Sequence, residues 1–140
     1  MKKIILASHG DLSFGLKNSI EVIFGDVTNV FAVKTYRGEK ITILDSITKL
    51  ISTFNENDQI FILTDLYGGS VNNDVLTLLD KYPELKIITG MNLSLVLGIV
   101  VEKTHLNACE IDTIIKQSQK QIINCKKLMY AREKEEEDDL

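Results

Sequence analysis

The pattern of apolar and polar positions divides the chain into four short apolar runs and the segments between them. The runs are rich in β-branched residues and cover residues 3–7, 27–33, 59–63 and 85–89. Runs of this length that are almost continuously apolar are typical of strands buried on both faces of a parallel sheet. The pattern therefore predicts four strands, with a helix after each.

The segments after the first three runs place apolar residues three and four positions apart, which predicts amphipathic helices. Turn residues and helix breakers bound these helices, so we expect them at residues 12–24, from about 39 to 54, and from about 70 to 81. The side chains expected to face the core are Leu12, Leu16, Ile20 and Ile23 in the first helix, Ile43, Ile47, Leu50 and Ile51 in the second, and Val75, Leu78 and Leu79 in the third.

The segment after the fourth run is predicted to be helical as well. Residues 92–102 are expected to form a short apolar helix, and a long amphipathic helix is expected to begin at Asn107 or Glu110. The inward side chains of that long helix are predicted to be Ile111, Ile114, Ile115, Ile122 and Leu128.

The alternation of strands and helices indicates the fold. Right-handed crossovers of this length, when repeated, build a parallel sheet with helices on both faces. We therefore predict an α/β fold with a doubly wound, mostly parallel sheet, and we expect the strand order 2-1-3-4 that is common in such folds. The 140 residues, 44% of them hydrophobic, suffice for the core of one domain, and the absence of internal repeats argues against a second.

Charge and hydropathy argue against two kinds of partner, nucleic acid and the membrane. The formal net charge is −4, but residues 133–140 alone carry −5, which leaves +1 for residues 1–132. A nearly neutral body without a basic cluster is not expected to bind nucleic acid. No segment reaches the roughly 20 apolar residues of a membrane span, so we expect no membrane insertion and a cytoplasmic protein. The acidic segment is expected to be a solvated helix end or disordered.

His9 is the first candidate for chemistry, because it stands where the first apolar run gives way to a polar, glycine-containing segment. This position lies at the carboxyl edge of the predicted sheet, where open α/β folds bind their ligands. The loop after the third run covers residues 64–70 and contains Asp65, and strand order 2-1-3-4 makes the first and third strands neighbours. A carboxylate bonded to one imidazole nitrogen fixes the tautomer and leaves the other nitrogen as a nucleophile.

The same loop contains Gly68, Gly69 and Ser70, which supply what a phosphoryl group requires at a helix start. They offer unobstructed backbone amides, a hydroxyl donor and the positive end of a helix dipole. We therefore predict phosphoryl transfer through His9, without a cofactor or a metal. Cys109 and Cys125 lack the paired spacing of a zinc site or a redox dithiol and are expected to be ordinary thiols.

Each of these residues also has a purely structural interpretation. A single histidine or aspartate after a strand is often a turn residue, and a glycine pair before serine is often only a loop with a helix cap. Tyr67 could gate a pocket or pack over its own loop, Asp11 fits the N-cap of the first helix, and His105 fits an exposed turn. The coincidence of three candidates at predicted strand ends favours the chemical interpretation.

Four motifs together make the chain similar to a known family, the mannose-type enzyme IIA domain of the bacterial phosphoenolpyruvate-dependent sugar phosphotransferase system. The resemblance extends to about residue 130, so we expect a domain at residues 1–130 and an acidic tail at residues 131–140. The motifs are Ser8-His9-Gly10, Arg37-Gly38-Glu39, Asp65-Leu66-Tyr67-Gly68-Gly69-Ser70 with Asn73, and Gly90-Met91-Asn92-Leu93.

The resemblance implies a phosphotransferase component with a transient phosphohistidine. His9 would accept the phosphoryl group from the phosphocarrier protein HPr at its Nε2 atom and pass it to a histidine of enzyme IIB, with Asp65 as its partner. Gly10, Tyr67 and Asn92 would be further loop contacts. Enzyme IIB would hand the group to the sugar together with membrane subunits IIC and IID, and the chain would form a homodimer.

Other functions within this fold stay open. The phosphotransfer subunit of dihydroxyacetone kinase also uses a histidine after its first strand, but typically with an Asp-Met-Gly-Ser-Ala type of loop. Histidine phosphatases place an arginine before their His-Gly pair, where this chain has Ser8. A regulatory module could carry the same phosphorylated histidine, and a flavodoxin-like cofactor binder would need aromatic walls that only Tyr67 is placed to supply.

Overall fold

Four parallel strands form the sheet of this protein in the computed structural model, which describes residues 1–37 and 42–138. The strands are β1 (Lys2–His9), β2 (Val30–Thr35), β3 (Gln59–Thr64) and β4 (Lys86–Thr89). They are hydrogen-bonded in the order β2-β1-β3-β4, and each neighbouring pair is parallel. The predicted α/β fold and its strand order 2-1-3-4 are confirmed.

The helices of the described ranges connect and follow these strands. Their bounds are α1 (Leu12–Ile23), α2 (Ile43–Ile51), α3 (Ser70–Leu76), α4 (Leu93–Val100), α5 (Ala108–Gln119) and α6 (Cys125–Asp138). The predicted third helix consists of α3 and one turn of 3-10 helix at Thr77–Asp80. The predicted start of the second helix near Glu39 lies outside the described residues, and α2 itself begins at Ile43.

Alternate residues of the strands face opposite sides of the sheet and build two cores. In β1, Ile4 and Leu6 face one side, while Ile5 and Ala7 face the other. Helices α1, α4 and α5 cover the first side, and α2 and α3 cover the second. Burial of each large aliphatic side chain contributes roughly 1.5–3 kcal/mol, so apolar packing from both sides holds the strand ends that carry the site.

Side-chain caps begin two of the helices where the sequence predicts them. The Asn92 side-chain oxygen accepts a hydrogen bond from the backbone N–H of Leu95 at 2.8 Å and begins α4. Asn107 and Glu110 each accept a hydrogen bond from the other's backbone N–H, at 2.8 and 3.0 Å, and form a capping box at α5. The starts predicted near residues 92 and 107 are confirmed.

The predicted inward face of α1 is partly wrong. Ile20 is fully buried and Leu16 packs against the same core, but Leu12 and Ile23 are exposed. These two residues lie at the ends of the helix, where a side chain has helical neighbours on one side only. Apolar periodicity therefore predicts burial less well at Leu12 and Ile23 than in the middle of α1.

The predicted single long helix after residue 107 is wrong, because the chain turns between Gln119 and Cys125 and forms two helices. No residue of α6 is buried. Apolar spacing cannot indicate whether a surface lies beneath a helix, and the core ends at α5. Of the predicted inward side chains, those that pack against the core are Ile111, Ile114 and Ile115, and those that are exposed are Ile122 and Leu128.

Three smaller expectations concern the surface of the chain. Within residues 1–37 and 42–138, no helix is both long and apolar enough to cross a bilayer. Cys109 and Cys125 are exposed free thiols, as expected. The acidic segment up to Asp138 forms the exposed end of α6, which is one of the two predicted alternatives.

Candidate functional site

His9 is the last residue of β1, so the strand extends two residues beyond the predicted run. Gly10 follows with a φ of +58°, a conformation that favours glycine, and its N–H donates to the Thr35 carbonyl at 3.0 Å. The chain can therefore leave the sheet sharply after His9 and begin α1. Half of the His9 side chain is exposed, with 50% of its surface accessible at the carboxyl edge of the sheet.

Asp65 lies directly beside His9, because β1 and β3 are neighbours and the register pairs Ala7 with Thr64. One carboxylate oxygen, Oδ2, accepts two hydrogen bonds from His9, from its backbone N–H and from its ring Nδ1, each at 2.8 Å. An ionised carboxylate only accepts hydrogen bonds. The His9 proton is therefore assigned to Nδ1, and Nε2 keeps a lone pair.

Ser70 approaches His9 from the other side. It is the first residue of α3, and its hydroxyl oxygen lies 3.0 Å from His9 Nε2. With the ring proton on Nδ1, the Ser70 hydroxyl donates and Nε2 accepts. Asp65 and Ser70 thus hold the imidazole ring at its two nitrogens.

The charge state of Asp65 follows from two opposing effects. Burial raises the pKa of its carboxyl, while the hydrogen bonds from His9 favour the carboxylate and outweigh burial, so the pKa of Asp65 is lowered. The second oxygen, Oδ1, is buried and has no hydrogen-bond partner among the described residues. Asp65 is thereby held as a carboxylate whose one bonded oxygen faces His9.

The loop between Asp65 and Ser70 favours glycine at two positions. Gly68 has a φ of +73°, and a Cβ on Gly69 would meet the Leu66 carbonyl oxygen at 3.2 Å. The Gly69 N–H donates to that carbonyl at 3.1 Å, so it is already used inside the loop. The amides of Ser70 and the following residues belong to the first turn of α3, where no carbonyl of the helix can accept from them.

Asp11 borders the site from the β2 side and does not cap α1 as predicted. It stands at the N-cap position, but its side chain makes no hydrogen bond to the helix. It accepts instead from Lys34 Nζ at 2.8 Å and from the Tyr36 hydroxyl. The cap is supplied by Ser8, whose hydroxyl oxygen accepts from the Ser13 N–H at 2.9 Å.

The remaining candidate residues take no part in the hydrogen bonds described for His9, Asp65 and Ser70. Tyr67 is 84% exposed on the loop of the site, and His105 is exposed near the start of α5. The side chain of Asn92 caps α4, and its described hydrogen bond does not reach His9. Within the parts of the chain that the structure describes, no three histidine, cysteine, aspartate or glutamate side chains come together as a metal site.

One pair of residues beside the site is not indicated by apolar runs, helical spacing or motifs in the sequence. The Thr64 hydroxyl donates to the side-chain oxygen of Asn72 at 2.8 Å, and both residues are buried. Thr64 is the first residue after the third apolar run and Asn72 lies in a polar helix start, so neither stands out from the polar residues beside it. Only the packing of α3 on β3 brings them together.

Comparison with known proteins identifies the family. A sequence model of the family EIIA-man, described as "PTS system fructose IIA component", matches residues 3–116. The fructose-specific EIIA component of the phosphotransferase system (PTS) of Bacillus subtilis (strain 168) is 28% identical over 107 residues, which cover 76% of this chain and 73% of that protein. The PTS sorbose-specific EIIA component of Klebsiella pneumoniae is 31% identical over 109 residues, covering 77% and 79%.

A solved structure agrees with these sequence matches. The crystal structure of the phosphotransferase system component EIIA from Streptococcus agalactiae matches with a TM-score of 0.76 and 27% identity, over 91% of this chain and 99% of that one. The family match ends at residue 116 and so leaves α6 outside it. Because the match spans most of the chain, including His9, Asp65 and Ser70, the protein belongs to the EIIA-man family and is an EIIA component of the sugar phosphotransferase system.

Proposed function

We propose that this chain is a phosphoryl carrier that accepts a phosphoryl group from phospho-HPr on His9 and passes it to a histidine of enzyme IIB during sugar uptake. The observation that carries this proposal is the His9 ring, whose Nδ1 lies 2.8 Å from Asp65 Oδ2 and whose Nε2 lies 3.0 Å from Ser70 Oγ. Membership in a family of PTS components supports the same role.

In the first transfer, the lone pair of His9 Nε2 attacks the phosphorus of the donor's phosphohistidine in line. A bond forms between Nε2 and phosphorus, the donor's nitrogen–phosphorus bond breaks, and its electron pair returns to the donor ring. No general base is needed, because Nε2 already has its lone pair and the ring proton stays on Nδ1. The second transfer repeats this exchange, with His9 as donor and the enzyme IIB histidine as acceptor.

Asp65 stabilises the phosphorylated form of the ring. Once Nε2 is bonded to phosphorus and Nδ1 keeps its proton, the imidazole carries a positive charge. The Asp65 carboxylate, 2.8 Å from Nδ1 and only 10% exposed, offsets that charge where water screens little. Because its lowered pKa keeps Asp65 ionised at neutral pH, this stabilisation is available throughout the reaction.

Gly68, Gly69 and Ser70 form the proposed phosphoryl-binding segment. The Ser70 hydroxyl, which faces Nε2 in the unphosphorylated protein, would turn to donate to a phosphoryl oxygen. The Ser70 amide, in the first turn of α3, would donate a second hydrogen bond. Gly68 and Gly69 would leave room for the phosphoryl group, because neither has a side chain that could obstruct it.

The surroundings of His9 suit a protein partner. Its ring is half exposed, and Leu66 and Tyr67 on the neighbouring loop are 63% and 84% exposed. Exposed apolar and aromatic side chains around a reactive group favour contact with another protein surface. The sugar itself would be bound by enzyme IIB and the membrane subunits IIC and IID, and two copies of this chain would associate as a homodimer.

The labelling of His9 tests the proposal. The purified chain is incubated with phosphoenolpyruvate, enzyme I and HPr, and we expect one acid-labile phosphate per chain, which is absent in His9→Ala. His105→Ala is the matched control, because it removes the other of the two histidines and should label fully. Labelling of His9→Ala to the level of the parent would refute the assignment.

A chase with enzyme IIB tests the second transfer. When unlabelled enzyme IIB is added to the phosphorylated chain, we expect the phosphate to move to it within the time of mixing. Retention of the label on this chain, with active enzyme IIB present, would contradict the carrier function and favour a regulatory phosphorylation.

A further inference from the structure

A buried polar pair lies under the site and takes no part in the proposed chemistry. Thr64 is the last residue of β3, and Asn72 is the third residue of α3. The Thr64 hydroxyl donates to Asn72 Oδ1 at 2.8 Å, and the two residues are 0% and 3% exposed.

Apolar packing does not require these two side chains to be polar. Their neighbours along the chain, Leu63 and Val71, are fully buried apolar residues of the two cores. A buried hydroxyl or amide costs free energy unless it is hydrogen-bonded, and replacing both partners with apolar groups of similar shape can be close to neutral. The pair is therefore better explained by the geometry it imposes than by a contribution to stability.

The geometry in question is the distance between the Asp65 and Ser70 side chains. The imidazole ring of His9 has a fixed size, so contact at both nitrogens requires these two side chains at a fixed separation. Thr64 directly precedes Asp65, and Asn72 follows Ser70 by two residues, so their hydrogen bond joins the two ends of the loop. The loop's own hydrogen bond from Asn73 Nδ2 to the Gly68 carbonyl is longer, at 3.3 Å, and exposed.

We propose that Thr64 and Asn72 are positioning residues, a clamp that holds Asp65 and Ser70 at the separation that the His9 ring requires. The clamp fixes the Nδ1-protonated tautomer of His9 and presents the Nε2 lone pair to the incoming phosphoryl group. The effect of the clamp on the transfer rate rests on the proposed function, whereas its effect on the tautomer of the His9 ring does not.

Thr64→Val tests the clamp, and the sheet contains its matched control. Val keeps the β-branched shape of Thr but removes the hydroxyl. Thr89 is the cross-strand neighbour of Thr64 in the β3–β4 register, and its hydroxyl is buried without a hydrogen-bond partner in the described part of the chain. Thr89→Val therefore removes the same group from the same region without breaking a hydrogen bond.

The first measurement is the state of the His9 ring. In the parent protein, nitrogen NMR of the imidazole is expected to show a single tautomer with the proton on Nδ1. In Thr64→Val, we expect a mixture of tautomers and faster exchange of the ring proton, with the parent spectrum retained in Thr89→Val. Thr64→Ser, which restores the hydroxyl, should restore the single tautomer.

The second measurement is transfer from phospho-HPr. Thr64→Val is expected to lower kcat by roughly tenfold to a hundredfold with little change in KM, since a displacement of about 1 Å in a reacting group can cost that much. Thr64→Val/Asn72→Leu should melt close to the parent and still transfer slowly, which separates positioning from folding.

A single parent-like tautomer and a parent-like kcat in folded Thr64→Val would overturn the clamp. A loss of activity in Thr89→Val equal to that in Thr64→Val would also overturn it, because the effect would then follow from any change in this part of the core. If the parent protein accepts no phosphoryl group, the proposed function fails, while the NMR comparison still decides whether the clamp exists.

Discussion

An aspartate lies on each side of His9, and the two aspartates differ in exposure and in hydrogen-bond partners. On the β3 side, Asp65 is 10% exposed and bonds to the His9 ring and backbone. On the β2 side, Asp11 is 72% exposed and bonds to Lys34 and Tyr36. Two residues of one type, both close to His9 in the fold, therefore differ in burial and in the chemistry of their partners.

Both carboxyls have lowered pKa values, but the causes differ. For Asp11 the cause is the hydrogen bond from Lys34, followed by that from Tyr36. The Lys34 ammonium also lies over the Phe14 and Tyr36 rings, at 4.7 and 4.8 Å from their centres. For Asp65, the hydrogen bonds from His9 lower the pKa against the effect of burial.

The comparison shows that a lowered pKa does not by itself identify a functional carboxylate. Around Asp11, solvent competes for every partner, and exposed ion pairs contribute little. Around Asp65, burial leaves His9 as the main partner of the charge, so a change at Asp65 must alter the ring.

Asp65→Asn is expected to have the largest effect. An amide can donate a hydrogen bond to Nδ1 and favour the tautomer whose proton is on Nε2, which removes the attacking lone pair. We expect phosphoryl transfer from phospho-HPr to slow by on the order of 10²-fold or more, with the fold retained. Single-turnover transfer, together with circular dichroism of the variant, measures this. An unchanged rate at unchanged stability would contradict the role of Asp65.

The free energy of unfolding should depend on pH through the Asp65 carboxyl. The pKa of Asp65 is lower in the folded protein than its unfolded value of about 3.9. Its stabilising contribution is therefore complete above that value and is lost as the pH falls through the folded pKa. In urea unfolding from about pH 5 to pH 3, we expect the stability difference between the parent and Asp65→Asn to shrink. A difference that grows toward low pH would contradict the assignment.

Ser70→Ala is expected to have the next largest effect. It removes one donor to the phosphoryl group while Asp65 still holds the ring. The loss of one hydrogen bond to a charged group, roughly 1.5 kcal/mol, corresponds to a rate lower by about tenfold. Ser52→Ala is the control, because the Ser52 hydroxyl donates to the Lys49 carbonyl at the end of α2 and has no other hydrogen bond among the described residues. Equal rates for the two variants would exclude Ser70 from phosphoryl binding.

Asp11→Asn is expected to have the smallest effect, although it is the same substitution as Asp65→Asn on the opposite side of His9. Because the Asp11 pair with Lys34 is exposed, we expect the transfer rate to stay within about twofold of the parent. Rates at low and high salt are compared. A large loss that disappears at high salt would show instead that Asp11 contacts a partner protein.

Much of the site could be predicted from the sequence because it depends on strand ends. His9, Asp65 and Ser70 follow apolar runs, and in a parallel sheet the carboxyl ends of neighbouring strands meet at one edge. The role of Asp11 was predicted wrongly, because a helix N-cap is a local pattern, whereas the bonds to Lys34 and Tyr36 arise from the pairing of β1 with β2.

The sequence by itself determined the strands and the residues that follow them, since these come from local apolar patterns. The strand order was predicted by analogy with doubly wound sheets, because crossover handedness alone allows more than one order. Only the tertiary structure decided which nitrogen of His9 faces Asp65, that Thr64 and Asn72 are bonded, and that no residue of α6 is buried. The reason is physical: hydrogen-bond partners and burial depend on distances between residues far apart in the chain, which a local pattern does not contain.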